Sequence, residues 1–335
     1  MRMFKRQALP VLALIPVVAL CLGVSTAAMV DDAAALEQAI KDARAALGGG
    51  ALDKAVSLAA EGEFRRMFGE REMGGDIELK LSGSDKMIWV ESMSPTGDPT
   101  MRVVRTSGLN GTTTLESMSG AGGMRFGGMG GPGGAGAPGG APGAAPADPA
   151  AAAERQQRQL RAQQRQVTRI MLALLLKGDG PLPLEFSYGG EADSDDGKAD
   201  IIAVKGPDGF AAQLFIDKQT HLPMVLAYRD VQQRGFGGGR GPGGPGAPGQ
   251  PGQPAAPPPT PEEREQRMRE ARERARTEPP VVVDVQWFMS DHKKVNGVML
   301  PHTIRRSENG EVREEWTFKK FSVNPVFKPD TFAKK

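Results

Sequence analysis

Cysteine is all but absent: Cys21 is the single one in 335 residues. It lies in an apolar stretch near the N-terminus, directly behind Leu20. A lipid-modified cysteine normally follows small residues, so Cys21 reads as a hydrophobic residue of that stretch. The chain beyond it has no disulfides, no thiol nucleophile and no thiolate metal site, and must be held by a packed core. Histidine is scarce too. His221, His292 and His302 fall at turns or strand ends, without the H-x-H or H-x-x-x-H spacing that grips a metal, and read as exposed turn residues. There is no G-x-S-x-G elbow, and the glycine runs lack the Gly-Lys-Ser/Thr ending of a phosphate loop. Asp193, Asp195, Asp196 and Gly197 suggest a calcium loop only until counted. From Glu191 the sixth position is Asp196 rather than glycine, and the twelfth is Ile202 rather than glutamate, so the segment reads as a hairpin turn. Excess charge is also lacking. The whole chain carries +2, of which Arg2, Lys5 and Arg6 supply three, leaving the remainder near −1 (2 − 3). Such a chain has no overall electrostatic drive toward nucleic acid or acidic lipid. No catalytic residue, cofactor or metal is assigned, and a non-enzymatic role is expected.

What the chain does contain begins with a leader. Arg2, Lys5 and Arg6 precede an apolar run from Ala8 to Val24 and then the small residues Ser25-Thr26-Ala27-Ala28. That is the layout of a secretory signal peptide cut after Ala27 or Ala28. Pro10 and Pro16 interrupt the run, which falls short of the roughly 20 residues a spanning helix needs. The expected location is the periplasm, with no transmembrane span after cleavage.

Composition shifts twice further on. Ser119 to Pro149 is almost entirely Gly, Ala, Pro and Met, and Gly235 to Pro259 is Gly and Pro with little else. Neither buries enough apolar surface to offset chain entropy, and both are expected to be disordered. Arg234-Gly235-Phe236 and Arg240-Gly241 supply too few arginines for an RNA-binding segment, so no nucleic-acid partner is assigned. Ala150 to Lys177 carries Leu160, Val167, Met171 and Leu174 at helical spacing. It ends in the apolar run Ile170 to Leu176, which must be buried, and Gly178 is expected to stop it. Pro261 to Thr277 pairs Glu263 with Arg267, Glu265 with Arg269 and Glu270 with Arg274, four apart, and predicts a solvated charged helix. At the front, Asp31 and Asp32 are placed to cap a helix that buries Leu36, Ile40 and Leu47 and ends at Gly48-Gly49-Gly50. A second short helix is predicted from Leu52 to Ala60.

The rest reads as strands. Ile77, Leu79 and Leu81 alternate with Asp76, Glu78 and Lys80, and Met87 to Met93 holds Trp89. Ile201 to Lys205 turns at Gly206-Pro207-Asp208-Gly209 into Phe210 to Asp217, which turns again through Lys218-Gln219-Thr220 into Leu222 to Arg229. Val281 to Ser290, Val298 to Arg306 and Val312 to Phe321 are joined by Asn296-Gly297 and Asn309-Gly310, the strongest short hairpin signals, and predict an antiparallel meander. Several strands are apolar on both faces. Val281, Val283, Val285, Trp287 and Met289 oppose Val282 and Phe288; Phe210, Leu214 and Ile216 oppose Phe215; Trp316 and Phe318 share a face with Val312. A sheet of this kind needs cover on each side. Either it curls to enclose one face, or that face is an apolar cavity.

Four segments resemble a known family. Phe215-Ile216-Asp217-Lys218-Gln219-Thr220-His221-Leu222-Pro223 is similar to the strand-turn-strand motif of bacterial outer-membrane lipoprotein-sorting proteins, the LolA/LolB-like superfamily. Asp291-His292-Lys293-Lys294-Val295-Asn296-Gly297-Val298-Met299-Leu300-Pro301 resembles the approach to its late hairpin. Asn324-Pro325 with Pro329-Asp330-Thr331-Phe332 resembles its closing motif, and Ala46-Leu47-Gly48-Gly49 is similar to an early one. The resemblance implies a mainly β (α+β) fold: an unclosed antiparallel β-barrel covered by a few helices, interrupted by the two disordered Gly/Pro-rich inserts. The expected organisation is a signal peptide at 1–28, helices and first strands at 29–118, an insert at 119–149, a helix and central strands at 150–233, an insert plus charged helix at 234–280, and a strand meander at 281–335. The resemblance further implies an apolar cavity that takes lipid or lipoprotein acyl chains. Trp89, Phe215, Trp287, Phe288, Trp316 and Phe318 are the candidate lining. The other role open to such a chain is an envelope sensor or assembly factor, meeting envelope proteins through its inserts, with the cavity only a packed core.

Overall fold

Alternating apolar residues need partners on both sides, and the chain supplies them in a single sheet. The computed structural model describes residues 28–69, 71–94, 101–120, 149–194, 197–231 and 281–333, with residues 260, 263, 266 and 270. The expected signal segment, most of both inserts, most of the charged stretch 261–277, and Asp195 and Asp196 of the acidic turn lie outside those residues. Helix α1 (Ala28–Leu47) and the single turn α2 (Gly50–Asp53) lead into β1 (Ser57–Phe68), β2 (Arg71–Ser82), β3 (Lys86–Met93), β4 (Val103–Asn110) and β5 (Thr113–Gly120). Helix α3 (Pro149–Leu175) follows. Then come β6 (Glu185–Ser194), β7 (Gly197–Lys205), β8 (Ala211–Asp217), β9 (Pro223–Val231), β10 (Val282–Val295), β11 (Val298–Glu308) and β12 (Glu311–Val323). No described helix is long and apolar enough to cross a membrane.

The twelve strands form one antiparallel sheet in the order β5-β4-β3-β2-β1-β12-β11-β10-β9-β8-β7-β6. The sheet is not closed, and α3 is the crossover that carries the chain from the β5 edge to the β6 edge. It also shows that the sheet curls. Gln159 of α3 donates to Glu116 on β5 at 3.4 Å, while Arg161, two residues on, meets Asp208 in the β7–β8 turn at 3.3 Å. Those strands are ten spacings apart in the sheet, roughly 48 Å if flat at about 4.8 Å per strand. A helix about 10 Å across touches both only if the sheet bends around it.

The hairpin signals hold. Asn296 and Gly297 both take positive φ (48° and 88°), as do Asn309 and Gly310 (49° and 84°), and each pair joins strands in two-residue register. The family-like motifs prove to be clamps. The Asp217 carboxylate accepts the backbone N–H of Gln219 and Thr220 and the Thr220 hydroxyl, leaving His221 at φ 57° before β9 begins. Asn324, at φ 58°, accepts the Val56 N–H at 2.8 Å and donates to the Lys54 carbonyl at 3.0 Å, tying the end of β12 to the start of β1.

Several expectations are corrected. Helix α1 starts at Ala28, so Asp31 and Asp32 lie within it rather than capping it, and its buried side is Ala39, Ala43 and Leu47, with Leu36 and Ile40 only half-buried. The second helix stops at Asp53. Leu58, Ala60 and Phe64 instead form the buried face of β1, because pairing with β2 and β12 overrides the helix preference of the alanines. Gly178 does not end α3. Leu176 takes the left-handed conformation (φ 47°) with its side chain in the core, and Gly178 is needed because a Cβ there would lie 2.6 Å from the Phe186 ring. Val281 and Val312 are more than half exposed at strand ends rather than sharing the buried face of their strands.

Candidate functional site

Strand alternation delivers four of the six predicted lining residues to the helix-covered face: Trp89, Trp287, Trp316 and Phe318 are all buried. The indoles run in a row across the sheet. Trp89 on β3 meets Trp316 on β12 edge-on at 4.9 Å between ring centres, Trp316 meets Trp287 on β10 at 5.2 Å, and Trp287 meets Tyr228 on β9 at 5.9 Å. Edge-to-face contacts of this kind are favourable beyond the area they bury. Trp89 and Trp316 sit three strands apart, with β2 and β1 between them, and their rings meet on the buried face.

Phe215 and Phe288 do not join them. Both are half-buried on the opposite face, where each is paired in register with Val225 of β9, and together they cover it. The second apolar face of these strands is thus a small outer cluster rather than part of the interior.

The row ends in charge. Trp89 donates its indole N–H to Glu91 at 3.1 Å, Trp316 donates to Glu314 at 2.7 Å, and the Arg66 guanidinium lies between the two carboxylates, at 2.6 Å from Glu91 and 2.5 Å from Glu314. Both glutamates are buried. Burial works against the Glu91 charge, but Arg66 and the Trp89 N–H outweigh it and hold the carboxyl below its ordinary pKa. At the other end Arg169 of α3, itself buried, pairs with Asp230 at 2.9 Å and lies 3.7 Å over the Tyr228 ring. Arg306, whose charge also acts on the Tyr228 hydroxyl, pairs with Glu308 at 2.7 Å. Burial pushes the Tyr228 hydroxyl up in pKa, and the two arginines only partly counter it. Sequence reading passed over these partners. The signal was present: Glu91 follows Trp89 by two and Glu314 precedes Trp316 by two, so the strand period puts each charge beside an indole on the buried face.

Helix α3 covers the row. Ile170, Ala173 and Leu174 face Leu79, Trp89, Trp287, Ile304, Trp316 and Phe318 around a void of 10 Å³. That is about the space of a single water-sized sphere. In this state the interior is filled, not hollow. The remaining apolar residues of the predicted buried run, Met171, Leu172, Leu175 and Leu176, are also at most 5 % exposed.

The histidines require a correction. His221 is a turn residue, but His292 lies within β10 and His302 within β11, and His302 is buried, with Nδ1 at 2.7 Å from the Phe318 carbonyl oxygen. Among the described residues, no group of three or more His, Cys, Asp or Glu is placed to hold a metal.

Fold and site together define a class: an open antiparallel half-barrel whose aromatic interior is covered by one crossover helix. No family model matches the chain, and no curated protein matches it. Among solved structures it is similar to a DUF1329 family protein from Desulfovibrio piger, at 10 % identity and a TM-score of 0.42 over 89 % of this chain and 96 % of that one. It is also similar to a domain described as an outer membrane lipoprotein-sorting protein from Vibrio parahaemolyticus (7 % identity, TM-score 0.40, 89 % and 97 % covered). A third is a LolA superfamily protein from Nitrosomonas europaea (8 % identity, TM-score 0.40, 89 % and 97 % covered). Two of the three bear the lipoprotein-sorting names to which the turn motifs pointed. At such identities and TM-scores no residue role passes from them to this chain.

Proposed function

We propose that this is an exported, periplasmic, non-catalytic protein that binds or carries an apolar ligand, a lipid or the acyl chains of a lipoprotein, between α3 and the tryptophan row. One observation carries the reading: the aromatic face is covered by a single helix in an unclosed sheet, so it is uncovered without breaking any strand pairing. The polar ties that hold the N-terminal half of α3 to the sheet, Gln159–Glu116 and Arg161–Asp208, are exposed and individually weak. Moving α3 outward by about 4 Å, one carbon–carbon contact distance, makes room for a chain. An acyl chain of about fourteen methylenes contributes roughly 11 kcal/mol on burial. Partly re-exposing Ile170 and Leu174 costs less, about 2–3 kcal/mol each at most.

A second reading has one observation on its side. The 10 Å³ void is what a packed core leaves, as in an envelope sensor or assembly factor that acts through protein contacts. Native mass spectrometry of the protein purified from periplasm, with lipid extraction of the same sample, separates the two. A retained acyl-bearing species, or uptake of added lipid with a shift in tryptophan emission, supports the carrier. A clean apo mass with no uptake refutes it in favour of the packed core.

A further inference from the structure

Among the described residues several buried polar atoms have no hydrogen-bond partner, and two of them are donors on side chains packed against one aromatic ring. Arg169 is 6 % exposed; its Nη1 holds Asp230, yet its Nε is buried without a partner. Trp287 is 1 % exposed, and its Nε1 is likewise buried without a partner, whereas the indoles of Trp89 and Trp316 each donate to a glutamate. The side chains that carry both donors border the same ring: the Arg169 guanidinium lies 3.7 Å over Tyr228, and Tyr228 stands edge-on to Trp287 at 5.9 Å. A buried donor left unpaired is unfavourable and rare in folded proteins, so a pair of them beside one ring asks for an acceptor.

The charges here are already matched. Arg169 is paired with Asp230, and Arg306 with Glu308. The site therefore wants an oxygen acceptor rather than a counter-anion. The neighbouring surface is aromatic and continues along Trp287, Trp316 and Trp89, so the acceptor belongs to a molecule whose other end is apolar.

Resting on the carrier reading above, we propose that the ligand is an acyl compound whose carbonyl oxygen is held by Arg169 Nε and Trp287 Nε1 while its chain lies along the tryptophan row. An ester carbonyl meets this requirement as well as a free carboxylate does. Hydrocarbon alone does not.

The test is displacement of the neutral fluorophore N-phenylnaphthylamine from the full chain by three probes of equal chain length: decane, methyl decanoate and decanoate. The two acyl probes are expected to bind within about threefold of each other and about tenfold or more tighter than decane, a tenfold gain being what one good hydrogen bond supplies. Trp287→Phe, which keeps an aromatic ring but loses the donor together with part of the indole, should reduce that preference to about threefold or less. The charge-balanced pair Arg169→Met with Asp230→Asn should do the same. Decane binding as tightly as the ester, or both variants keeping the preference, overturns the acyl-oxygen assignment and leaves the apolar-ligand reading standing. A strong preference for decanoate over its ester overturns it in favour of a carboxylate site. If no probe displaces the fluorophore, the carrier reading fails and this inference with it.

Discussion

Arg66 is the cation between two buried carboxylates, and Arg66→Met exposes what that arrangement is worth. Glu91 and Glu314 are 6 % and 7 % exposed at the side chain, and Arg66 is 21 % exposed. Removing one partner of a buried ion pair leaves an uncompensated charge and costs about 3–5 kcal/mol, whereas an exposed pair costs under about 1 kcal/mol. Because Arg66 keeps some contact with solvent, a loss of about 3 kcal/mol at pH 7 is expected, or roughly a 10 °C fall in Tm for a domain of this size. The loss should depend on pH in a defined direction. In the parent protein the Glu91 carboxyl is held below its ordinary value, so its contribution is present above about pH 4.5 and disappears as pH falls through the lowered pKa. In the variant, burial acts without Arg66 and raises that pKa. Glu91 then takes up a proton as pH falls toward 5, and the penalty shrinks. Urea unfolding followed by tryptophan emission at pH 7 and pH 5 measures both terms, with Trp89 and Trp316 reporting from inside the cluster. Arg66→Met combined with Glu91→Gln and Glu314→Gln should recover most of the stability. A loss below 1 kcal/mol, or one equal at the two pH values, refutes the account of a buried, charge-compensated cluster.

Three further outcomes follow from particular residues. Burial and the neighbouring His302 depress the His292 pKa, against the pull of Asp291 and the Pro223 carbonyl, so stability from this site is full above about pH 6.5 and is lost as pH falls through the lowered value; His292→Gln should flatten the urea midpoint between pH 7 and pH 5. Leu174→Ala, at a fully packed position of α3 against the tryptophans, should cost about 3 kcal/mol and shift tryptophan emission to the red, and a loss under 1 kcal/mol would mean that α3 barely covers the row. Gly48 takes φ 130°, and a Cβ on it would run into the Gly297 carbonyl oxygen, so Gly48→Ala should lower stability by about 2 kcal/mol or more in the same assay.

The C-terminal meander was legible because Asn-Gly forces positive φ at two successive residues, and the flanking alternation leaves only one register. The start of β1 was not. Ala55 to Ala60 has a local helix preference, and only pairing with β12, more than two hundred and fifty residues away, makes it a strand. Strands β4, β5 and β6 are rich in Ser, Thr, Gly and Glu, with few apolar residues to mark a face. Of the candidate lining, three tryptophans and Phe318 could be placed by strand parity, whereas Phe215 and Phe288 have the opposite parity on their own strands and belong to the outer cluster. Parity says which residues share a face, but not whether that face is hollow. The void is small because α3 descends onto it, and the path of a crossover helix has no signature in the strands it covers.

The register also gives the interior a direction. Arg66, Glu91, Glu314, Arg169, Arg306 and Asp230 lie toward the end of the sheet where β1, β3, β5 and β9 finish. Leu47, Leu52, Val298 and Leu300 fill the opposite end, beneath α1 and α2, where Gly48 meets the Asn296-Gly297 turn. The proposed acyl chain, running across the strands along Trp287, Trp316 and Trp89, lies between that polar end and the apolar packing of α1 and α2. The β5–α3 and β9–β10 connections, which contain both Gly/Pro-rich inserts, attach at that polar end, yet the described row draws none of its side chains from them. Deleting residues 121–148 and 236–259 should accordingly leave fluorophore and acyl binding within about twofold of the parent, since every donor and ring that makes the site remains. Retained binding together with loss of a co-purifying envelope protein would assign the inserts to partner contact. Loss of acyl binding in a variant with parental thermal stability would refute the claim that α3 and the sheet suffice for the ligand.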